Sequence, residues 1–175
     1  MENKNFENAN TIVLGTTTGG RKEYLRRNMI NLFRREYYFL SNFYEASITY
    51  NGITYKNNEA AFQAQKVAPL KEAMLEFKEL NPSEAKKLGR KVSLRPDWEN
   101  VKVQIMRDIV YAKFDQNPDL LEKLVNTGDD YLEEGNTWGD RTWGTVNGVG
   151  ANLLGQILME VREELKTRTE DKEHD

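Results

Sequence analysis

Cysteine is absent from this sequence, and histidine occurs only once, at position 174. Without cysteine the chain has no disulfide, no thiolate nucleophile and no thiolate zinc site. His174 lies in the polar segment 167–175, which its composition predicts to be a disordered tail, so imidazole catalysis and histidine metal sites are not expected. We therefore expect neither a metal nor another cofactor, and any catalytic proton transfer would fall to carboxylates, lysine or tyrosine.

A long hydrophobic run and a large excess of one charge are also missing. No apolar stretch approaches the roughly 20 residues that cross a bilayer, and the N-terminal segment lacks the features of a secretory signal. We therefore expect a soluble, cytoplasmic protein with no membrane partner. The formal net charge of −3 gives no general basic surface for nucleic acid, although a local patch could still bind a nucleic-acid substrate. The pattern leaves the oligomeric state open.

The 175 residues, of which 38% are hydrophobic, suit one compact domain. Residues 1–28 are polar and are predicted to be an N-terminal extension. Within them, the stretch Gly15–Gly20 looks like a phosphate-binding loop at first glance. However, Arg21 stands where such a loop has its lysine, and Glu23 offers no magnesium-binding hydroxyl. A flexible or strand-flanking loop is the favoured interpretation.

The remaining sequence predicts an α+β fold, a mostly helical single domain with a small antiparallel β-sheet. Residues 47–55 alternate apolar and polar side chains around Asn51-Gly52, which predicts a β-hairpin. Asn57 or Asn58 can cap a helix that begins near Glu59. Periodicity and capping residues predict further helices at about 70–80, at 83–88 with Ser83 as its cap, at 96–115 beginning with Pro96, at 120–125, and through 153–165.

One candidate site is a single face of the helix after the hairpin. Glu59, Phe62, Gln63 and Lys66 are spaced so that a carboxylate, an aromatic ring, an amide and an ammonium share that face. An ordinary solvated helix face with a glutamate near its N-terminus would show the same spacing.

A second candidate site is the glycine-rich connection 144–152, which leads into the last helix and follows Trp138 and Trp143. Glycines let the backbone approach a ligand, helix amides can bind an anion, and tryptophans can stack on a base. A plain connection closing over the core is the alternative.

The third candidate site is residues 89–98, which combine three cations with Trp98. These residue types suit the recognition of a phosphate and a ring, or simply a helix start that Trp98 anchors in the core.

Several of these segments resemble the NADAR superfamily, and specifically its YbiA-like members. The resemblance covers about residues 29–166 and runs through FLSNFY at 39–44, NEAAFQAQK at 58–66, LRPDWENVK at 94–102, WGTVNGVGAN at 143–152 and LMEVR at 158–162. It implies that residues 29–166 form a catalytic domain, between the extension and the tail at 167–175. Members include N-glycosidases of riboflavin intermediates and hydrolases that remove ADP-ribose from guanine bases.

By this resemblance Glu59 matches the essential glutamate of the family, and Asp140 and Lys66 are the other expected catalytic residues. The residues expected to bind substrate are Asn42, Phe43, Gln63, Arg90, Trp98, Trp143, Gly144, Gly148, Gly150 and Asn152. Two positions depart from the family pattern, since Ala60 stands where a histidine is usual and Val149 where a lysine is frequent. These departures bear on substrate preference more than on bond cleavage.

The implied function is N-glycosidase activity, hydrolysis of the bond between ribose and a base. The substrate would be a ribosylamino-pyrimidine phosphate of riboflavin synthesis or ADP-ribosylated guanosine, either free or in nucleic acid. Lys66 would either attract phosphate or capture the opened sugar as a Schiff base. A module that binds ADP-ribose without cleaving it, and a purely structural helical domain, are the alternatives from other classes.

Overall fold

Three two-stranded sheets and six α-helices make up the described part of the chain, residues 12–18 and 21–173 of the computed structural model. The strands form an antiparallel hairpin of β1 (Ile12–Thr18) with β2 (Arg21–Arg27), a parallel pair of β3 (Met29–Ile30) with β6 (Tyr131–Leu132), and a second hairpin of β4 (Glu45–Tyr50) with β5 (Ile53–Asn57). The helices are α1 (Asn58–Ala64), α2 (Lys71–Leu75), α3 (Pro82–Gly89), α4 (Trp98–Gln116), α5 (Pro118–Val125) and α6 (Leu153–Glu173). The predicted α+β class is confirmed.

The β4–β5 hairpin forms where the sequence predicts it. Asn51 and Gly52 both adopt positive φ, 49° and 81°, as a two-residue turn with matching strand twist requires. The inward-facing Ile48, Ile53 and Tyr55 are buried. The hairpin therefore covers the core on one side of α1 and α4.

Helix α1 lies at the centre of the molecule and contacts α3, α4 and both strands of the β4–β5 hairpin. Its cap is Asn57, whose Oδ1 accepts a hydrogen bond from Ala60 N at 2.8 Å, which resolves the choice between Asn57 and Asn58. All seven residues of α1 are buried. A short helix with no exposed face depends on tertiary packing for its stability.

Three predicted helix boundaries are wrong. Helix α3 is capped by Asn81, which forms a reciprocal capping box with Glu84, and not by Ser83. Helix α4 begins at Trp98, two residues after Pro96. The segment 70–80 is helical only over α2 and continues as turns, so the apolar residue Phe77 reaches the core from a turn.

The two ends of the chain also differ from expectation. The extension at 1–28 contains the β1–β2 hairpin, with Gly15–Thr18 inside a strand, while Gly19 and Gly20 lie outside the described residues. Helix α6 continues through 167–173, where a disordered tail was predicted. Arg168 stabilises this last part, because its guanidinium donates hydrogen bonds to Tyr111 Oη on α4 and to the Asp115 carboxylate. His174 lies outside the described residues.

Helices α4, α5 and α6 pack together behind α1 and complete the core with apolar side chains such as Ile109, Leu124, Val161 and Leu165. Each large apolar side chain buried in this way stabilises the fold by about 1.5–3 kcal/mol. Within the described residues, no helix is both long and apolar enough to cross a membrane.

Candidate active site

A cavity of about 740 Å³ opens between α1, α3, α4 and two connecting segments, residues 33–43 and 134–143. This volume is typical of a small-molecule site. Nine of the thirteen residues expected from the sequence line the cavity together: Asn42, Phe43, Glu59, Gln63, Lys66, Arg90, Trp98, Asp140 and Trp143. The other four, Gly144, Gly148, Gly150 and Asn152, do not line it.

Glu59 lies in the first turn of α1, where the Asn57 cap fixes the start of the helix. Its backbone N donates to Asn42 O at 3.1 Å, and its Oε1 accepts a hydrogen bond from Gln63 Nε2 at 2.8 Å. Burial raises the pKa of the Glu59 carboxyl, while the hydrogen bond from Gln63 and the charges of Lys86 and Lys66 oppose that rise. A buried carboxyl that is held by its neighbours suits acid–base or electrostatic catalysis.

Gln63 is positioned by the close approach of α3. Its side-chain Oε1 lies against Gly89, where any Cβ would collide with it. Glycine at position 89 therefore lets α3 approach α1 closely enough to fix the amide that holds Glu59.

Lys66 lies one turn beyond Gln63, where α1 continues as a 3₁₀ turn over Gln65–Val67. Its Nζ donates to Gly89 O at 3.3 Å and lies 5.9 Å from the ring centroid of Trp98. Burial lowers the pKa of Lys66, whereas the negative charge of Glu59 raises it. The predicted shared face of Glu59, Gln63 and Lys66 is therefore present, although Lys66 stands outside the α-helical part.

Asn42 and Phe43 reach the cavity from the segment before β4. Asn42 Oδ1 accepts from Asn58 Nδ2 at 3.1 Å, and the Phe43 ring lies under Lys86 Nζ at 5.9 Å. Buried Lys113 of α4 supports this segment from behind by donating to Phe39 O at 2.6 Å and to Ser41 O at 3.0 Å. Burial lowers the pKa of Lys113 to about 7.

An aromatic wall closes one side of the cavity. Phe62 packs against Trp98, with ring centroids 5.0 Å apart, and meets Trp143 edge-on at 5.4 Å. Trp98 is buried, whereas Trp138, which also lines the cavity, is 58% exposed. Rings of this kind can stack on a flat base.

Cations surround the mouth of the cavity, although the whole chain has a net charge of −3. Besides Arg90 and Lys66, the cationic residues that line it are Arg34, Arg35, Lys86, Lys87 and Lys102. Arg34 and Arg35 lie at the start of a 3₁₀ helix (Arg35–Leu40), and the three lysines lie on α3 and α4. The charge needed to bind a phosphate is therefore concentrated at one place.

Asp140 lines the cavity but is also part of the loop that carries it. Its Oδ1 accepts hydrogen bonds from Thr142 N at 3.0 Å and Trp143 N at 2.9 Å. Asn136 fixes the same turn, because its Nδ2 donates to Asp140 O at 2.7 Å and its Oδ1 accepts from Asp140 N at 3.0 Å.

Glu134 is a cavity residue that the sequence analysis missed. Burial, together with the negative charges of Asp140 and Glu59, raises its pKa to about 8, while Lys86 acts in the opposite direction. No sequence signal separates Glu134 from its neighbour Glu133, because the segment has neither helical nor strand periodicity. Within the described part of the chain, no three histidine, cysteine, aspartate or glutamate side chains could hold a metal ion.

The glycine-rich connection does not provide the anion site that its pattern suggests. The amides of Ala151, Asn152, Leu153 and Leu154 at the start of α6 donate to the carbonyls of residues 141–144. Because these amides are already bonded to carbonyls of the chain, none of the four is left for a ligand, which argues against an anion site at the start of α6.

Asn152 and the glycines hold the connection in place. Asn152 adopts φ 50° and is buried; its Oδ1 accepts from Glu134 N at 3.0 Å, while its Nδ2 donates to Leu132 O at 2.9 Å. A Cβ at Gly144 would collide with Glu134 O, and Gly148 and Gly150 both have positive φ. Asn152, Gly144 and Gly150 therefore pack against the loop that carries Glu134 and Asp140, whereas Gly148 only provides the positive φ of the turn between Val146 and Val149.

The two positions that depart from the family pattern lie away from the cavity lining. Ala60 is fully buried in the core, on the side of α1 that packs against its neighbours, and Val149 is 62% exposed in a turn. Neither side chain lines the cavity.

Comparison with known proteins places these features in context. The NADAR domain family model matches residues 31–166. The N-glycosidase YbiA of Escherichia coli is 39% identical over 133 residues, which cover 74% of this chain and 82% of that protein. An N-glycosidase of Nostoc punctiforme is 41% identical over 132 residues, which cover 72% and 84%.

A riboflavin biosynthesis protein of Vibrio vulnificus is 40% identical over 131 residues, which cover 73% of this chain but only 35% of that longer protein. Among solved structures, the NMR structure of YbiA from Escherichia coli superposes with a TM-score of 0.72 at 36% identity, covering 81% of this chain and 87% of that one.

Proposed function

The chain belongs to the NADAR domain family and is an N-glycosidase, and from this premise we propose that it cleaves a small phosphorylated N-riboside in the cavity around Glu59. The proposed substrate class is a ribosylamino-pyrimidine phosphate of riboflavin synthesis. The observation that carries this proposal is the meeting of a buried carboxyl, an aromatic wall and a cationic mouth in one cavity. Residues 29–166 form the proposed catalytic unit, since every residue that lines the cavity falls within that range.

Glu59 is the proposed catalytic carboxylate. Cleavage of a ribose–base bond passes through an oxocarbenium-like state, which a carboxylate near the anomeric carbon stabilises while it orients or deprotonates water. Gln63 holds Glu59 through its 2.8 Å hydrogen bond, so the carboxylate that orients the water has a fixed direction. Asp140, fixed by two backbone amides, has a second oxygen available for a ribose hydroxyl.

The other cavity groups are proposed to bind the two ends of the substrate. Arg90 and the cations around it attract the phosphate, and Lys66 adds charge from deeper in the cavity. Trp98 and Trp143 form the apolar wall against which a base can pack.

ADP-ribosylated guanosine is a second candidate substrate. The seven cations around the cavity exceed what one phosphate needs, and the exposed ring of Trp138 offers a further stacking surface for a second base. Both features suit a longer substrate with a diphosphate.

The test measures base release by chromatography from a ribosylamino-pyrimidine phosphate and from an ADP-ribosylated guanine oligonucleotide. We expect the wild type to release the pyrimidine and Glu59→Gln to lower kcat by roughly 10³-fold or more. The control is Glu72→Gln, an exposed glutamate on α2, which should retain full activity. Tight binding of either substrate without turnover by the wild type would instead support a non-catalytic ADP-ribose or nucleotide-binding module.

A further inference from the structure

We propose that Glu134 is the general acid of this N-glycosidase and gives a proton to the departing nitrogen, while Glu59 acts on the water. The inference rests on the proposed function and adds a catalytic residue to it. It begins from the fact that three carboxyl groups line one cavity, those of Glu59, Glu134 and Asp140. The three differ in what holds them.

Asp140 and Glu59 both accept hydrogen bonds, and the one to Glu59 favours its ionised form. Asp140 accepts two from backbone amides, and Glu59 accepts one from Gln63. The carboxyl of Glu134 has no hydrogen-bond or ion-pair partner among the described residues. Its own backbone, in contrast, is fixed on both sides, since its N donates to Asn152 Oδ1 at 3.0 Å and its O accepts from Thr145 N at 2.9 Å. A rigid backbone therefore carries an unpaired carboxyl into the cavity.

The charges around the two glutamates decide which of them keeps a proton. Burial and the charge of Asp140 raise the pKa of Glu59, while the hydrogen bond from Gln63 and the charges of Lys86 and Lys66 oppose that rise. Glu134 has the help of Lys86 alone and feels the negative charges of Asp140 and Glu59. Because two nearby carboxyls resist ionising together, one of them keeps a proton, and the geometry assigns it to Glu134: Glu59 accepts a hydrogen bond from Gln63, whereas the Glu134 carboxyl accepts none among the described residues. Burial raises the pKa of Glu134 to about 8.

The step balances without any other reactant. The bond between C1′ and nitrogen breaks, its electron pair goes to nitrogen, and nitrogen takes the proton of Glu134. Water adds to C1′ and gives its proton to Glu59. The products are the free amine and the ribose hydroxyl, and exchange with solvent returns the proton from Glu59 to Glu134.

The test compares two ribosides that differ in their need for an acid. One is the N-riboside phosphate above, whose amine leaves only when protonated; the other is a 4-nitrophenyl riboside phosphate, whose leaving group needs no proton. Glu134→Gln should lower kcat for the N-riboside by about 10²–10⁴-fold and for the aryl riboside by less than about 5-fold. Glu59→Gln should lower both.

The matched control is Glu133→Gln, which changes the adjacent glutamate, a residue that does not line the cavity. It should leave both rates within about 2-fold. Glu134→Asp keeps a carboxyl and should retain more N-riboside cleavage than Glu134→Gln. Equal losses on the two ribosides in Glu134→Gln would overturn the role of Glu134, although the proposed function would stand.

The wild type alone provides a readout that does not depend on a variant folding. Its kcat for the N-riboside should fall above pH 8 as Glu134 loses its proton, whereas kcat for the aryl riboside should stay level. An identical pH profile for both ribosides would contradict the inference. If the wild type cleaves neither riboside, the proposed function itself is wrong, and the assignment of Glu134 as general acid is then wrong as well.

Discussion

Helix α1 and the glycine-rich connection at 144–152 are both dense in polar groups, yet their hydrogen bonds end in different places. In α1, the side chains of Glu59 and Gln63 bond to each other and line the cavity. In the connection, the backbone amides and the Asn152 side chain bond to the chain itself. The first segment presents polar atoms to a ligand, and the second uses its polar atoms to hold a loop.

The difference shows what makes a polar motif functional in this fold. In α1 the first amides bond to Asn42 O and to the Asn57 cap, and the later amides bond within the helix, so the side chains of Glu59 and Gln63 are free to line the cavity. The connection has no regular structure around it and needs side chains and carbonyls to satisfy its amides. Residue types alone therefore cannot assign a binding role to the connection, and the partners of each polar atom must be known.

The largest expected effect on stability is that of Asn152→Ala. The change removes hydrogen bonds to Glu134 N and Leu132 O, leaves those buried groups unpaired, and places alanine at φ 50°. We expect the free energy of unfolding to fall by about 3 kcal/mol in a urea titration. The corresponding substitution in α1 is Glu59→Gln. It should lower activity and leave the free energy of unfolding nearly unchanged.

Asn147 provides a matched control for that experiment. It is exposed, it is also an asparagine, and its φ is 51°. Asn147→Ala therefore carries the same backbone strain without the loss of buried hydrogen bonds. If the two variants lose equal stability, strain rather than the hydrogen bonds of Asn152 explains the effect, and the contrast between connection and helix weakens.

The next effect in size is the pH dependence of stability caused by Glu134. Its pKa is about 8 in the folded protein and near 4.5 when unfolded, so the folded state binds more protons between these values. Stability from this group is therefore complete below pH 4.5 and is lost as pH rises to 8. Linkage with these values would give about 3.5 kcal/mol between pH 5 and pH 8, and because Glu134 is only partly buried and solvent screens its charge, we expect the wild type to lose about 2 kcal/mol more than Glu134→Gln.

Thermal or urea unfolding of both proteins across that range measures the difference. Lys113, which also titrates in this range, is not coupled to Glu134 and cancels in the difference. The expected result would show that the cavity-facing carboxyl of Glu134 lowers the free energy of unfolding at neutral pH, whereas the buried side chain of Asn152 raises it. Parallel pH curves for the two proteins would show that Glu134 is ionised at neutral pH.

Local patterns allowed prediction of the parts that depend on local physics. The Asn51-Gly52 turn dictates the β4–β5 hairpin, and the spacing of Glu59, Gln63 and Lys66 dictates a shared face. Boundaries failed where several caps competed, as at Asn81 and Ser83. The deciding factor there is a reciprocal hydrogen-bond pair, which the local sequence permits but does not single out.

The missed parts of the site depend on contacts distant in sequence. Arg34 and Arg35 join Lys86, Lys87 and Lys102 at one mouth only through the packing of separate elements. Glu134 reaches the cavity because Asn152, 18 residues later, fixes its backbone. Neither arrangement produces a helical or strand periodicity that could be recognised in the sequence. The sequence also suggested ligand binding by the glycine-rich connection, because a loop whose amides bond to its own chain has the same composition as a loop that binds a ligand.

The smallest expected effect is that of Val149→Lys, which restores the residue type frequent in the family. Val149 is 62% exposed in a turn that Val146 and Val149 close with two backbone hydrogen bonds, and it does not line the cavity. Because an exposed side chain away from the site has few contacts to change, we expect unfolding within about 0.5 kcal/mol of wild type and kcat/KM within about 2-fold. Steady-state kinetics on the N-riboside phosphate measure this. A rise of more than about 10-fold would mean that the connection contacts the substrate after all, and the division between a binding helix and a supporting loop would then fail.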